Sequence, residues 1–212
     1  MENMLMQLYD NEVLKDNFSS VNLLEMISSV EHHEMVIKGK QEVSSDGEYV
    51  YYICQGKVLT ERAGTILAIS GEGEFVGLDA LLREEYVKDT FVGLEKGFVL
   101  KFRSEEVLLK LLSLQEGWVY LLAQEKLRNE NLVRNNIYIH QSGKEKLKYV
   151  LSYLAEQFGT WTEKGIVIPR CFNKTIIANY ANITLTSLRR IMRVLVIEDW
   201  LEMENYTLII KE

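Results

Sequence analysis

Two kinds of hydrophobic pattern divide the first half of the chain. Residues 1–30 carry apolar side chains at helical spacing, which predicts one or two short helices. From residue 35 to about residue 102 the pattern changes to short β-branched and aromatic runs separated by glycines. Short strands with glycine turns predict an antiparallel β-roll or barrel. The runs are 49–53, 57–60, 65–69 and 97–102.

Helical spacing returns at residue 104. Ser104 followed by Glu105 and Glu106 predicts an N-cap and an acidic first turn. The pattern continues without proline to about residue 139, and Gly117 predicts a break between a short helix and a long one. Trp118 and Tyr120, at the head of the long helix, are interpreted as packing groups.

A hinge and a small α+β domain are predicted for the rest of the chain. The sequence His-Gln-Ser-Gly at 140–143 predicts the hinge. A helix follows, with one apolar face, and ends at Gly159. Residues 166–169 predict a short strand, and the apolar runs on either side of Glu204-Asn205 predict a hairpin. The apolar face of the helix consists of Leu147, Val150, Leu151, Leu154 and Phe158.

Residues 173–202 contain the pattern with functional content. Asn173 can cap a first helix, and Ala181-Asn182-Ile183 predicts a tight turn in which Asn182 takes the left-handed conformation. Thr184 then caps a second helix. The buried stripe of that helix is predicted to be Leu188, Ile191, Met192 and Leu195, and its exposed face Leu185, Thr186, Arg189, Arg190 and Arg193.

Two helices joined by so short a turn predict a helix-turn-helix that enters the major groove of double-stranded DNA. Arginines can bind guanine through both ends of the guanidinium fork, and Thr186 or Ser187 can bond to phosphates or base edges. The closing hairpin would be a wing that touches the DNA backbone. The alternative is an ordinary helix pair with solvated arginines. The predicted DNA-binding residues are Thr184, Leu185, Thr186, Ser187, Arg189, Arg190 and Arg193.

The charge distribution is compatible with this hypothesis. The formal net charge is −7, but residues 1–140 carry 14 basic against 23 acidic side chains, whereas residues 141–212 carry 10 against 8. No apolar run approaches the roughly 18 residues of a membrane span, and residues 1–13 do not resemble a secretory signal. Cys54 and Cys171 are far apart and suggest reduced thiols. We therefore expect a cytoplasmic protein, with no cofactor and no metal.

Nearly the whole chain resembles the CRP/FNR superfamily of bacterial transcription regulators. The run 47–58 and the segment Gly73-Glu74-Phe75-Val76-Gly77 resemble the family's β-roll, and residues 114–137 resemble its dimerisation helix. Residues 181–195 follow its turn and recognition helix. The resemblance implies an α+β fold with a cyclic-nucleotide-binding-like domain (1–113), a long dimerisation helix and hinge (114–140), and a winged helix-turn-helix domain (141–212).

Several positions depart from the family pattern. Leu78 stands where cyclic-nucleotide-binding members have glutamate, and Lys88-Asp89 stands where they have an Arg-Ser or Arg-Thr pair. An aspartate beside a phosphate costs Coulomb energy and offers no donor at neutral pH. The chain therefore resembles the PrfA-like branch without a cyclic nucleotide. Leu185 replaces a common arginine, whereas Thr186 and Arg190 still match base-reading positions.

The resemblance implies a transcription regulator, with activation and repression both left open, that contacts RNA polymerase. It also implies a homodimer that recognises an inverted repeat, because a single recognition helix reads too few bases. An effector pocket is predicted from Phe75, Gly77, Leu78, Lys88, Asp89 and Tyr120. One alternative is a regulator gated by a cyclic nucleotide or another small ligand through an unusual pocket. Another is a protein-binding module. A cupin-type enzyme would need clustered histidines, and none lies between His33 and His140.

Overall fold

The computed structural model describes residues 19–45, 47–78, 81, 89–115, 117–204 and 207–211. Contacts divide the chain into two units, Met1–Asn131 and Leu132–Glu212. The first unit contains α1 (Ser20–Met26), β1 (His32–Ile37), β2 (Glu42–Ser45), β3 (Tyr49–Gln55), β4 (Val58–Arg62), β5 (Thr65–Ser70), β6 (Phe75–Val76), β7 (Asp89–Gly93), β8 (Gly97–Arg103) and α2 (Ser104–Leu112). Helix α3 (Gly117–Ile139) follows.

The strands of the first unit form two antiparallel four-stranded sheets. One has the order β1-β8-β3-β6 and the other β2-β7-β4-β5. The predicted antiparallel strand pattern is confirmed, and α1 confirms the last turn of the helical pattern predicted before residue 30. The earlier part of that pattern, up to residue 18, lies outside the described residues.

Strand β3 is buried on both faces. Val50 and Tyr52 pack into a cluster with residues of α1, β8, α2 and α3, among them Leu23, Phe102, Val107 and Leu121. Tyr51 and Ile53 point the other way, into a cluster between the two sheets that includes Val58, Phe91 and Val99. Because successive side chains of a strand face opposite sides, only a strand covered on both faces has an uninterrupted apolar run. The run at 49–53 therefore marks the centre of the domain.

Helix α2 starts directly after β8, and the prediction that Ser104 caps it is wrong. Arg103 occupies the N-cap position, and Ser104 is the first helical residue. The Ser104 N–H donates to the carbonyl oxygen of Glu48 at 2.9 Å. Ser104 Oγ is buried without a hydrogen-bond partner among the described residues. No linker separates strand from helix, so the serine lies one residue too late to act as the cap.

Helix α3 begins at Gly117, as the sequence predicts. Its first aromatic residues are interpreted as packing groups. Tyr120 is buried and confirms that interpretation, whereas the Trp118 side chain is 58% exposed and does not pack into the core of the first unit. Side chains two residues apart on a helix point to different faces, and only the Tyr120 face meets the core of the first unit. Within the described residues, no helix is long and apolar enough to cross a bilayer.

The second unit continues with α4 (Gly143–Phe158), β9 (Thr160–Thr162), β10 (Gly165–Ile168), α5 (Lys174–Tyr180), α6 (Leu185–Ile197), β11 (Leu201–Glu204) and β12 (Thr207–Ile210). Its antiparallel sheet has the order β11-β12-β10-β9. Residues 140–142 separate α3 from α4, at the predicted hinge. The predicted apolar face of α4 is confirmed, because Leu147, Val150, Leu151 and Leu154 are buried. Strand β9 was not predicted, and its side chains are exposed.

Gly117→Ala tests the predicted break. A Cβ at this position would lie 1.8 Å from the carbonyl oxygen of Leu111, so the start of α3 would have to move. We expect the free energy of unfolding, measured in urea, to fall by about 2 kcal/mol. Gly39→Ala is the matched control, because its Cβ would come no nearer than 3.4 Å to any atom. Equal effects of the two substitutions would contradict the prediction.

Candidate nucleic-acid interface

Helix α5 is capped at its start by a side chain. Asn173 has an extended backbone, and its Oδ1 accepts hydrogen bonds from the N–H groups of Thr175 and Ile176 at 2.9 and 3.1 Å. Asn173 thereby satisfies two of the backbone donors that a helix start leaves unpaired. Ile177 and Ala178 are buried on the inner face of α5.

The connection between α5 and α6 is a tight turn closed by two backbone hydrogen bonds. The Ile183 N–H donates to the carbonyl of Ala178, and the Asn182 N–H donates to that of Asn179, both at 3.0 Å. This pair of bonds is a Schellman motif, which requires a left-handed residue just after the helix. Asn182 fulfils that requirement with φ of +50°, as the sequence predicts.

Helix α6 begins at a second side-chain cap. Thr184 Oγ1 accepts from the Ser187 N–H at 3.1 Å and donates to Ser187 Oγ at 3.0 Å. The two hydroxyls are therefore partly committed to the start of the helix. The predicted buried stripe is confirmed in full, and it consists of Leu188, Ile191, Met192 and Leu195.

The opposite face of α6 presents a basic surface, which we call the arginine face: Arg189, Arg190 and Arg193, with Thr186 beside them. All four residues are exposed. Within the described part of the chain, the three guanidinium groups make no hydrogen bond or ion pair. Leu185, also exposed at 37%, is the apolar member of this face. Three cations free to bind a ligand on the N-terminal half of one helix can contact phosphates or base edges.

The residues of the predicted effector pocket lie in different surroundings in the structure. Leu78 and Tyr120 are buried in the cluster around α1, and Phe75 packs against it. Gly77 is buried with φ of +90°, and a Cβ there would lie 3.1 Å from the carbonyl oxygen of Tyr49. Lys88 lies outside the described residues. Leu78 and Tyr120 therefore contribute to the hydrophobic core, and no effector contact is assigned to them.

Asp89 has a partner that sequence reasoning missed. Its carboxylate accepts from Arg62 Nε at 2.7 Å and from Arg62 Nη2 at 2.9 Å. The Asp89 side chain is only 8% exposed, and that of Arg62 is 26% exposed. Pairing of Glu61 with Thr90 aligns β4 with β7 and so brings the two charges together. A separation of 27 residues gives no local sequence signal for such a pair.

Cys54 lies on β3 and packs, partly buried, against the cluster around α1. Burial raises the pKa of its thiol above the ordinary range, and this outweighs a hydrogen bond with the Leu100 backbone. A raised pKa leaves little thiolate at neutral pH, so the group is a weak nucleophile and a weak metal ligand.

Comparisons with known proteins give matches among solved structures. Neither a protein-family model nor a curated protein sequence matches the chain. The c-di-GMP-responsive global regulator CLP of Xanthomonas campestris is 15% identical with a TM-score of 0.74, and the match covers 90% of this chain and 99% of that one. A CRP-family transcriptional regulator from Thermus thermophilus is 13% identical with a TM-score of 0.67, covering 84% and 92%.

The chain has the fold of the CRP/FNR transcription regulators. A cyclic nucleotide-binding domain containing protein from Listeria monocytogenes also shares this fold, at 18% identity and a TM-score of 0.68, covering 90% and 96% of the two chains. The CRP/FNR resemblance seen in the sequence is thus confirmed at the level of the fold. At these identities the likeness shows the CRP/FNR fold and does not extend to a ligand or an operator.

Arg62→Ala tests the buried pair. The substitution leaves the Asp89 carboxylate in a site that is 8% exposed. We expect the free energy of unfolding in urea to fall by about 3 kcal/mol, because the buried carboxylate loses the guanidinium that binds both of its oxygens.

The control is the double variant Arg62→Met, Asp89→Leu, which removes both charges and keeps similar volume. We expect it to lose much less stability than Arg62→Ala. If both variants were destabilised alike, the loss of the guanidinium from beside a buried carboxylate would not be the cause.

Proposed function

We propose that the chain is a sequence-specific DNA-binding transcription regulator of the CRP/FNR type. The observation that carries the proposal is the division of α6 into a buried stripe and the arginine face. The stripe and the turn at Asn182 hold the helix in place, while its N-terminal half presents cations and a hydroxyl. This is the arrangement of a recognition helix in a winged helix-turn-helix domain.

Roles within α6 follow from the chemistry of each side chain. Arg190 and Thr186 are proposed to contact base edges, and Arg189 and Arg193 to contact phosphates or bases. Ser187 and Thr184 first stabilise the start of the helix, which leaves them at most a secondary contact. Leu185 offers an apolar surface that suits a thymine methyl group.

A homodimer is part of the proposal. Trp118 and Leu122 lie four residues apart on α3 and are more than half exposed, and so are Val133 and Ile137. Large apolar side chains repeated at helical spacing and open to water indicate an interface. Two copies of α6 related by a twofold axis would then contact half-sites of an inverted repeat about one helical turn apart.

Control by cyclic AMP is not part of the proposal. The Arg62 guanidinium in the β-roll already binds the Asp89 carboxylate through two hydrogen bonds. An anion would have to displace that carboxylate within a largely buried site. Regulators of this type act on RNA polymerase in the cytoplasm. We therefore propose RNA polymerase as a partner and the cytoplasm as the location, and we assign no residues to the contact with the polymerase.

The proposal is tested by selecting random-sequence duplexes with the purified full chain at about physiological salt and without added ligand. An inverted repeat with half-sites about 10 base pairs apart would support a dimeric regulator that is active without an effector. Binding that is weak, indifferent to sequence and insensitive to salt would contradict it, because contacts to phosphates make affinity depend on salt.

Arg190→Ala is expected to weaken binding to the selected repeat by about 1–3 kcal/mol and to relax discrimination at one base pair of each half-site. The side chain is exposed, so the thermal midpoint of unfolding should stay the same. Arg103→Ala, an exposed arginine in the first unit, is the control for the loss of one positive charge. Undiminished discrimination in Arg190→Ala would remove Arg190 from base contact.

Leu122→Glu is expected to shift the protein from dimer to monomer, because a carboxylate would be buried at the proposed interface. The measurement is molar mass by sedimentation equilibrium over a dilution series. Val21→Glu, at a valine of α1 that is also about half exposed, is the control. An unchanged dimer in Leu122→Glu would exclude this part of α3 from the interface.

A further inference from the structure

Five charged side chains form an alternating chain on the closing hairpin and its surroundings. Lys211 Nζ lies 2.6 Å from Asp199 Oδ1 and 3.2 Å from Glu202 Oε2. Lys164 Nζ lies 3.8 Å from Glu202 Oε1 and 2.8 Å from Glu204 Oε1. The order is Asp199, Lys211, Glu202, Lys164, Glu204, and Glu202 is shared by both lysines. We call this arrangement the charge chain.

The charge chain connects parts of the second unit that are distant in sequence. Glu202 and Glu204 are two residues apart on β11 and therefore share one face of the sheet. Lys164 comes from the turn between β9 and β10, and Lys211 follows β12. The hydrogen bond between Lys164 and Glu204 raises the pKa of the lysine and lowers that of the glutamate, so both are charged at neutral pH.

A further ion pair lies next to the charge chain and neutralises the carboxylate of Glu198. Glu198, at the C-cap of α6, binds Lys144 at the start of α4. Four carboxylates fall within residues 198–204, and they are half of the acidic side chains of residues 141–212. Each of the four is bound to a lysine from another element.

Stability is a weak explanation for these pairs. Glu204, Lys164 and Asp199 have side chains that are 51%, 57% and 80% exposed. Exposed ion pairs contribute little to folding because water already solvates both charges. The ion pairs matter more for the approach of a polyanion than for folding. Without the lysines, the four carboxylates that follow the arginine face in the sequence would repel DNA phosphates across distances comparable with the Debye length.

We propose that Lys164 and Lys211 support DNA binding as counter-ions of the acidic segment 198–204, and that they are not themselves phosphate ligands. This inference rests on the proposed function. It assigns the two lysines an electrostatic role that is exerted through Glu202, Glu204 and Asp199. The lysines thus neutralise carboxylates of the wing and do not read the operator.

The experiment is a double-mutant cycle on the full chain, with affinity measured on the duplex selected by the wild-type protein at about 0.1 M salt. Lys164→Ala leaves Glu204 without its lysine and removes one of the two lysines bound to Glu202, and we expect the affinity for DNA to fall about threefold. Adding Glu204→Gln to Lys164→Ala should then return affinity to within about 1.5-fold of the wild type, because the uncovered carboxylate is removed together with its counter-ion. Lys96→Ala, an exposed lysine of the first unit, controls for net charge.

Each outcome decides the matter. A double variant Lys164→Ala, Glu204→Gln that binds as weakly as Lys164→Ala would show that Lys164 binds phosphate directly and would overturn the proposal. An unchanged affinity of Lys164→Ala in the wild-type background, with Lys96→Ala also unchanged, would overturn it as well. Thermal midpoints within about 2 °C would show that folding is intact, as expected for exposed pairs. A wild-type protein without sequence preference would instead overturn the proposed function, and the counter-ion role with it.

Discussion

The turn at residues 181–183 is the constraint on which the candidate interface depends. Asn182 holds a left-handed backbone there, and the Ile183 N–H is bound to the carbonyl of Ala178. The chain therefore leaves α5 and enters α6 with little freedom of direction. Once the apolar stripe of α6 has entered the core of the second unit, the arginines between its members are forced to the surface.

A different constraint organises the first unit. Strand β3 is covered on both faces, so the two sheets and the helices α1 and α2 all pack against one strand. At the end of β4 the same fold holds a charged pair in which the Asp89 carboxylate is nearly buried and the Arg62 side chain is partly exposed. A carboxylate at position 89, which in sequence argues only against a phosphate, serves in the structure as the internal partner of a guanidinium. This is why the β-roll accommodates an aspartate in a nearly buried position.

The second unit shows that net charge describes this protein poorly. Residues 141–212 carry a formal balance close to neutral, but their charges are segregated. The arginines of α6 have no anionic partner among the described residues, whereas the carboxylates that follow them are bound to lysines. The cations are therefore available where a ligand would bind, and the anions are neutralised beside it.

The sequence by itself determined the main helices, several of the strands and the local chemistry. The apolar periodicity of α4 and α6, the caps at Asn173 and Thr184, and the left-handed turn at Asn182 all depend on residues within a few positions of one another. Interactions of that range leave a pattern in the sequence. The same range explains the error at Ser104, where the local signature of a cap was correct in type, but the strand before it left no room for the cap.

Only the tertiary structure decided the pairings between distant segments. The partners Arg62 and Asp89, the sharing of Glu202 by Lys164 and Lys211, and the exposure of Trp118 beside the buried Tyr120 depend on strand registers and on which helix face meets the core. Charged and aromatic residues are compatible with several surroundings. Their place is fixed only when the packing of the apolar residues around them has been settled.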